Sequence, residues 1–277
     1  MPGKVALVTG ANQGLGLALV KGLAAALGPG STVYLGARDA ARGADAASAL
    51  PTDGAGIEPI LIDVTRDEDV ARAAENLSAR HGGVDIVISN AAARMLQGDA
   101  FPDIVSTFVD TNNGGQRRMA EHFVPRLRDG GVFLPVASSF GSLTKLPDSL
   151  HARFDTSTAT LDDIDRVLAD WVRGVEDGTA AEDGWPEWIN IPSKIGQVAS
   201  MRVLARDLAN DPRALLIAAV CPGLVDTEAS RPWFDDMSQA LSPDDAAKPI
   251  VAIATGRVDR AASYGQLCRK GTMVPWT

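Results

Sequence analysis

The 277-residue chain has few of the residues that build disulfide frameworks, metal centres or membrane spans. Two cysteines, Cys221 and Cys268, cannot form a disulfide framework or a cysteine-rich metal site, and such a low count is typical of a reducing compartment. The three histidines are far apart and show no metal-ligand spacing. No apolar run approaches the ~18 residues of a membrane-spanning helix, and the first residues lack a secretory signal pattern. We therefore expect a cytoplasmic protein without a metal or a membrane anchor.

Basic residues are also in the minority. The chain has 26 lysines and arginines against 35 acidic residues, for a formal net charge of -9. A nucleic-acid-binding protein needs a basic surface to displace counterions from phosphates, and no basic stripe is present. We therefore exclude nucleic acids as partners and expect a small-molecule ligand.

Strand-like and helical stretches alternate along most of the chain. The helical stretch DEDVARAAENLSARH (67–81), for example, is followed by the strand-like run VDIVIS (84–89). This alternation predicts a parallel sheet with helices on both faces, and nearly continuous apolar strands are typical of a sheet buried on both sides. The sequence therefore predicts an α/β fold with a doubly wound parallel sheet, a Rossmann fold, in a single domain over residues 1–277.

Residues 140–189 interrupt the alternation. Thr160 and Asp163 have the spacing of a helix capping box. Apolar residues follow at helical intervals, at positions 164, 167, 168, 171, 172 and 175. The segment holds 11 acidic and 4 basic residues, so it carries most of the net negative charge. We predict an inserted acidic helical segment packed on the main sheet; acidity alone is more typical of a solvated face than of a binding site.

A glycine-rich stretch, TGANQGLG (Thr9–Gly16), lies between the first predicted strand and the first predicted helix. Gly10 permits a tight turn, while Gly14 and Gly16 let the backbone approach a pyrophosphate and the strand. The helix that follows offers unpaired N–H groups and the positive end of its dipole to that anion. The strand before and the helix after make this a predicted dinucleotide-binding turn rather than a structural glycine cluster.

The end of the second predicted strand indicates which dinucleotide is bound. A site for NADH usually places a carboxylate there, but this chain has Gly36, followed by Arg38. The guanidinium of Arg38 suits a ribose 2′-phosphate, so NADPH is the predicted cofactor; a solvated arginine at a helix start is the alternative. Asp63, after the third predicted strand, is expected to meet the edge of the adenine.

These motifs, in this order, resemble the short-chain dehydrogenase/reductase family. Besides TGANQGLG, the matching elements are ARD (37–39), Asp63, SNAA (89–92), TNNGG (111–115), ASS (137–139), Lys194 and CPGLVDT (221–227). The long insert followed by DGWP (183–186) is similar to the monomeric carbonyl reductase branch, in which an insert fills the surface that other members use to form tetramers. The resemblance implies a monomer that uses NADPH.

The resemblance also implies the roles of individual residues. Ser139, with Ser138 as the alternative register, would hydrogen-bond the substrate oxygen, and Asn112 would hold a water in the proton relay. Lys194 would bind the hydroxyls of the nicotinamide ribose. The implied cofactor-binding residues are Gly10, Asn12, Gln13, Gly14, Leu15, Gly16, Arg38, Asp63, Val64, Asn90, Ala91, Ala92, Lys194, Pro222, Gly223, Val225 and Thr227. Gln13 stands where the NADPH-using branch often has a basic residue, so the preference for NADPH depends on Arg38.

The largest departure from the family is Asn190, which stands four residues before Lys194 in place of the catalytic tyrosine. Residues four apart lie on one helix face, so a tyrosine there would pass its proton to the substrate oxygen. Asparagine donates only an amide hydrogen bond, and loss of a positioned general acid lowers rates by ~10²–10⁴-fold. Neither Tyr34, on a cofactor-side strand, nor Tyr264, near the C-terminus, is expected to replace it.

Three functions fit such a site. In the first, a carbonyl is reduced, and the proton comes through water held by Asn112 and Asn190 or from an insert residue such as His151, Asp155 or Glu187. In the second, a C=N bond is reduced, which tolerates a neutral Asn190 because an iminium is already charged. Carboxylates near the pocket would stabilise this cation, and the acidic insert is consistent with that. In the third, NADP(H) is bound without redox chemistry, in a binding module or for a cyclisation or isomerisation. We predict an NADPH-dependent oxidoreductase that transfers hydride to a bulky, mainly apolar C=O or C=N substrate, with Ser139, Lys194, Asn112 and Asn190 at its centre.

Overall fold

A computed structural model describes residues 3–51 and 53–277. Its main sheet contains six parallel strands, which are β1 (Val5–Val8), β2 (Thr32–Ala37), β3 (Gly56–Leu61), β4 (Val84–Ser89), β5 (Leu127–Pro135) and β6 (Leu216–Ile217). Their order across the sheet is β3-β2-β1-β4-β5-β6. The direction of winding reverses between β1 and β4, which creates a crevice at the carboxyl ends of these strands. The predicted doubly wound parallel sheet is confirmed.

Ten α-helices occur in the described residues. They are α1 (Gly14–Leu27), α2 (Ala40–Ser48), α3 (Asp67–His81), α4 (Phe101–Val109), α5 (Gly115–Phe123), α6 (Asp148–His151), α7 (Leu161–Glu176), α8 (Asn190–Asp207), α9 (Pro243–Ala254) and α10 (Arg260–Ser263). Buried residues of α1 and α9 pack on one face of the sheet, and those of α3, α5 and α8 pack on the other. None of these helices has both the length and the apolar character needed to cross a membrane.

The sixth predicted strand, ALLIAAV (214–220), is broken in the structure. The N–H of Ala218 still points to β5 and lies 3.3 Å from the carbonyl oxygen of Phe133, whereas the N–H of Ala219 donates to Gln266 on the other side (2.9 Å). The chain therefore leaves β6 and continues as β7 (Ala219–Val220), which pairs with β8 (Leu267–Arg269). A final strand, β9 (Thr272–Val274), pairs antiparallel with β8 and was not predicted.

The insert is helical, as predicted, and α7 begins with the predicted capping box. The N–H of Asp163 donates to Oγ1 of Thr160 (3.1 Å), and the N–H of Thr160 donates to Oδ2 of Asp163 (2.8 Å). Its apolar face includes the fully buried Trp171. This face packs against α4 and α8, so the expected packing directly on the sheet is wrong. That face of the sheet is already covered by α3, α5 and α8.

Ion pairs connect the insert to the helices beneath it. Arg117 on α5 donates to Glu121 on its own helix (2.6 Å) and to Asp162 (2.9 Å) and Asp165 (3.3 Å) on α7. Burial raises the pKa of the Asp165 carboxyl, and Arg117 opposes this change. Arg117 thus neutralises part of the negative charge of the insert and links α7 to α5.

Candidate active site

The glycine-rich turn lies at the crevice where the sheet reverses its winding. Gly10 has φ = +60° and Gly14 has φ = +55°, a left-handed conformation that disfavours other residues. A Cβ atom on Gly16 would meet the carbonyl of Gly10 and would lie 2.7 Å from Nδ2 of Asn90. These glycines therefore allow the turn to form and α1 to approach it closely, as the motif predicts.

The N-terminus of α1 is open to an anion. Gln13 precedes the helix without capping it through its side chain, and no acidic residue occurs in the first turn. The first N–H groups and the positive end of the helix dipole therefore remain available. A Cβ on Gly14 would lie 3.4 Å from Cγ2 of Thr227. The loop that follows β7 thus faces the glycine-rich turn, and a phosphate group could bind between the two.

Asn90 supports this turn from β4. Its side-chain amide donates to the carbonyl oxygens of Thr9 (2.9 Å) and Gly10 (3.2 Å). The hydroxyl oxygen of Thr9 in turn accepts from the N–H groups of Asn90 and Ala91, each at 3.0 Å. Asn90, which the resemblance implies as a cofactor-binding residue, therefore holds the glycine-rich turn in place. The part played by Thr9 was not predicted.

No carboxylate stands at the end of β2 where an NADH site usually has one, and exposed arginines lie nearby. A Cβ on Gly36 would lie 2.9 Å from Cγ2 of Ile62, so a carboxylate side chain has no room at this position. The nearby carboxylate of Asp39 accepts from the N–H of Arg42 (3.0 Å) and caps α2. Arg38 and Arg42 are exposed, and neither guanidinium forms an ion pair within the described residues. Arg42 is a second cation at this strand end. It was not predicted from the sequence, although it lies only four residues after Arg38.

Asp63 and Val64 follow β3. Oδ1 of Asp63 accepts from the N–H (3.0 Å) and the hydroxyl (2.7 Å) of Thr65, so this oxygen stabilises its own turn. Oδ2 makes no hydrogen bond within the described residues and is the atom available to an adenine. Val64 is buried, and its side chain lies where a Cβ of Gly115 would be, only 2.8 Å from that position. Val64 therefore packs on α5, and its carbonyl oxygen accepts from the guanidinium of Arg118 on the same helix (3.1 Å).

The remaining predicted cofactor-binding residues lie on the loops around the same crevice. Asn12 and Leu15 belong to the glycine-rich turn and α1, Ala91 and Ala92 follow β4, and Pro222, Gly223 and Val225 follow β7. Gly223 has φ = +82°. The structure therefore brings residues from all of these segments to the carboxyl edge of the sheet.

The serine pair lies in a short 3₁₀ turn, Ser139–Gly141, directly after β5. Oγ of Ser138 accepts from the N–H of Phe140 (3.3 Å) and caps this turn. The hydroxyl of Ser139 has no intramolecular partner within the described residues, which favours Ser139 over Ser138 as a ligand-binding hydroxyl. A Cβ on Gly141 would lie 2.9 Å from the carbonyl oxygen of Lys194. Glycine at 141 therefore brings the serine turn against α8.

Lys194 lies near the start of α8, and its ammonium group has no carboxylate partner among the described residues. Nζ donates to Oε1 of Gln197 (2.7 Å) and to the carbonyl oxygen of Val136 (3.3 Å). Desolvation by burial lowers the pKa of Lys194 from 10.5 to about 8, and the charge of Cys221 acts in the opposite direction. The residue keeps a little exposed surface, but its amino group has no ion-pair partner, so burial is the dominant influence.

Asn112 lies in a π-helical turn, Asp110–Gly114, between α4 and α5. Its Oδ1 accepts from the N–H of Ala93 (2.9 Å), and its carbonyl oxygen accepts from Nε2 of Gln197 (2.9 Å). The next residue, Asn113, exchanges hydrogen bonds with Ser193 on α8. Because π turns expose backbone groups within a helix, this carbonyl is available to a side chain, and Gln197 competes with the water predicted at Asn112.

Asn190 is the first residue of α8, one turn before Lys194. Its side chain makes no hydrogen bond within the described residues. Neither tyrosine replaces it, because the hydroxyl of Tyr34 bonds to His81 (2.8 Å) and that of Tyr264 donates to the carbonyl of Ala205 (2.7 Å).

Two of the three acid groups that the insert could supply are engaged elsewhere. His151 contacts the carbonyl of Leu146 (3.1 Å), and Asp155 accepts from Ser157 and Thr158 in its own turn. Hydrogen bonds from these residues lower the pKa of the Asp155 carboxyl, which makes it a poor acid. Glu187 is exposed.

Comparison with known proteins agrees with this arrangement. Carbonyl reductase (NADPH) 1 from Mus musculus is 29% identical over 98% of this chain and 98% of its own length. Carbonyl reductase (NADPH) 3 from Rattus norvegicus is also 29% identical, over 99% and 98%. Salutaridine reductase from Papaver somniferum has a similar fold, with a TM-score of 0.78 at 22% identity over 95% of this chain and 99% of that one. Residues 4–148 match the short chain dehydrogenase family. The chain therefore belongs to the short chain dehydrogenase family.

Proposed function

We propose that the chain is an NADPH-dependent oxidoreductase that transfers hydride to the carbon of a C=O or C=N bond in a small, mainly apolar substrate. The observation that carries this proposal is the crevice itself. An uncapped helix N-terminus follows the glycine-rich turn, while two unpaired arginines, Arg38 and Arg42, stand at the end of β2. Relatives named carbonyl reductase (NADPH) support both the reaction type and the cofactor.

The residues around the crevice fit the parts of NADPH in chemical terms. The N-terminus of α1 suits the pyrophosphate, and Thr227 faces it from the opposite loop. Arg38, assisted by Arg42, suits the ribose 2′-phosphate because a guanidinium offers several donors to phosphate oxygens. Lys194 would bind ribose hydroxyls. When bound, NADPH supplies the hydride; the chain supplies orientation, exclusion of water and the proton.

Ser139 and Asn190 would position the substrate. The Ser139 hydroxyl and the Asn190 amide have no partners in the part of the chain that the structure describes, so both can donate to an oxygen that gains negative charge during reduction. The site lacks a phenol, so the proton must come from another group. This feature separates two substrate classes, since a neutral carbonyl needs a proton on oxygen and an iminium does not.

The insert gives little support to a cationic substrate. Several of its carboxylates are paired with arginines, as Asp162 and Asp165 are with Arg117, or are used in caps, as Asp163 is. The remaining argument for C=N reduction is the neutral Asn190. A carbonyl is therefore the first substrate class to test and an imine is the second.

The cofactor proposal is tested by measuring dissociation constants for NADPH and NADH with wild type and Arg38→Ser. Loss of a charge-assisted contact of about 1.5–3 kcal/mol should weaken NADPH binding by roughly ten- to a hundredfold and leave NADH unchanged. Arg257→Ser removes the same charge from an exposed position after α9 and is the matched control. Equal losses for the two cofactors, or for the two variants, would contradict the assignment of Arg38.

The reaction is tested with matched panels of ketones and cyclic imines. Consumption of NADPH with either panel, together with reduced product identified by mass spectrometry, supports reduction and identifies the substrate class. Product formed without NADPH oxidation would instead support the non-redox alternative, a cyclisation or isomerisation.

The same samples should elute as monomers in size-exclusion chromatography with light scattering, because α7 covers α4 and α8 within one chain.

A further inference from the structure

We infer that Lys194, held in place by Gln197, gives the substrate oxygen its proton in the absence of the tyrosine. This inference rests on the proposed function, because it concerns the reduction of a neutral carbonyl. It gives Lys194 a chemical role beyond binding ribose, and it makes Gln197 a positioning residue that acts through the lysine.

The position of Lys194 is the first argument. Lys194 lies one helical turn after Asn190 on the same face of α8. The backbone of Lys194 touches Gly141, which ends the 3₁₀ turn that begins at Ser139. Replacing a phenol ring by the short side chain of Asn190 leaves space on this face. For proton transfer, the ammonium must reach a substrate oxygen bound by Ser139 from this face, directly or across one water.

Gln197 is the second argument. Oε1 of Gln197 accepts from Nζ of Lys194 (2.7 Å), while Nε2 donates to the carbonyl oxygen of Asn112 (2.9 Å). The residue is only 3% exposed, and a further backbone contact, from Nε2 of Gln116 to the carbonyl of Gln197 (2.9 Å), fixes this turn of the helix. The amide therefore clamps the ammonium between α8 and the π turn.

The clamp also closes one route for the proton. A glutamine amide holds its N–H hydrogens and accepts only through its oxygen, so it does not relay a proton away from Lys194. A water held by the carbonyl of Asn112 in the same place could relay one. Gln197 and the carbonyl of Val136 thus engage two of the three ammonium hydrogens, and the third is left for the substrate oxygen.

The electrostatic surroundings favour release of this proton near neutral pH. No carboxylate of residues 3–51 and 53–277 contacts the ammonium, and Gln197, Asn112 and Ser193 are neutral. Within the described residues, the titratable group that interacts with Lys194 is the Cys221 thiol. Burial places the pKa of Lys194 at about 8, which suits a general acid working at neutral pH.

The proposed step is balanced. The carbonyl carbon gains a hydride from NADPH, which is thereby oxidised, and the carbonyl is reduced. The N–H bond of the ammonium breaks as an O–H bond forms on the substrate oxygen. Nζ keeps the electron pair, and water returns a proton to it before the next turnover.

The test combines a titration that does not depend on turnover with a pH–rate profile. The chain has six lysines, so ¹³Cε-labelled lysine gives a spectrum in which Lys194 is assigned by comparison with Lys194→Met. We expect Lys194 to titrate near pH 8 and kcat for a ketone to fall above that pH. Because the charge of Cys221 raises the pKa of Lys194, Cys221→Ser should move both the titration and the fall in kcat to lower pH together. A fall caused by the thiol itself would instead disappear in this variant.

Gln197→Glu provides the decisive variant. A carboxylate beside the ammonium should raise the titration midpoint of Lys194, and the fall in kcat should move to higher pH by the same amount. Gln266→Glu, with the same charge change just before β8, should move neither. The inference is overturned if Lys194 titrates near 10.5, or if the midpoint moves while the rate profile does not. An absence of NADPH-dependent turnover in wild type would instead contradict the proposed function, and the titration would still report on the clamp.

Discussion

The lowered pKa of Lys194 has a consequence for stability that needs no substrate. Below pH 8 the lysine is protonated in the folded and the unfolded protein, so the folded state bears the full cost of desolvating the charge. Between about pH 8 and 10.5 the folded protein loses this proton while the unfolded protein keeps it. Because stability rises with pH wherever the unfolded state binds more protons, this residue should make the protein more stable as the pH increases.

The magnitude follows from the pKa of about 8 in the folded protein and 10.5 in the unfolded chain. This difference corresponds to about 3 kcal/mol between the two limits. Between pH 7 and pH 9.5 the contribution of Lys194 should become less unfavourable by about 2 kcal/mol. Lys194→Met keeps an apolar stem of similar length and removes the titration, so the difference between the two proteins isolates this effect.

The assay is urea unfolding of wild type and Lys194→Met at several pH values from 7 to 9.5. Other groups titrate equally in both proteins and cancel in the difference. Across this range, the free energy of unfolding of wild type should rise by about 2 kcal/mol relative to that of the variant. Parallel curves would refute the reasoning, because they would mean that the ammonium is solvated or paired and titrates at an ordinary pKa.

Three further predictions concern the site and the insert. Asn190→Tyr should raise kcat for a neutral ketone by about 10²-fold, since it restores a general acid one turn before Lys194; steady-state kinetics check this, and a loss of activity would show that Asn190 has a role of its own. Thr160→Ala should lower the free energy of unfolding by about 1 kcal/mol, because the cap of α7 is lost; an unchanged urea midpoint would contradict that role. Trp171→Ala should cost about 3–5 kcal/mol, since this side chain is 1% exposed between α7 and its neighbours; a much smaller change in the denaturation midpoint would mean that the insert is not cooperatively packed.

Local patterns in the sequence were sufficient for the elements that depend on near neighbours. The stretch 67–81 has acidic residues in its first turn and Arg80 and His81 in its last, and α3 has these bounds. The glycine-rich turn could be predicted as well, because each glycine answers a requirement of the turn or of the adjoining helix. The capping box of α7 is likewise a signal of two residues three apart.

Features that depend on distant residues were not predictable. The break at Ala218 arises because the strand exchanges its partner on β5 for one on β8, and no local pattern records this change. The π turn is similar, since Asn112 and Asn113 bond to Ala93 and Ser193, the second of these about 80 residues away. Gln197 carries no local sequence signal. Its contact with Asn112 exists only because the fold brings α8 beside residue 112.

The packing of the insert is a further example. The apolar periodicity of α7 predicts a buried face, but it does not say which surface covers that face. Helices compete for the same apolar surfaces. Because α3, α5 and α8 cover this face of the sheet, α7 packs elsewhere. Arg117, which lies on α5 and not in the insert, completes the contact with Asp162 and Asp165.

The π turn at Asp110–Gly114 also limits how the length of this chain can change. A π turn contains one residue more than the α-helical turn it replaces. Deleting a single residue there would restore a regular helix and rotate everything after it by about 100°. The face of α5 that buries Met119 and Phe123 would then turn away from the sheet. Shortening this segment by one residue should therefore be far more damaging than replacing any one of its side chains.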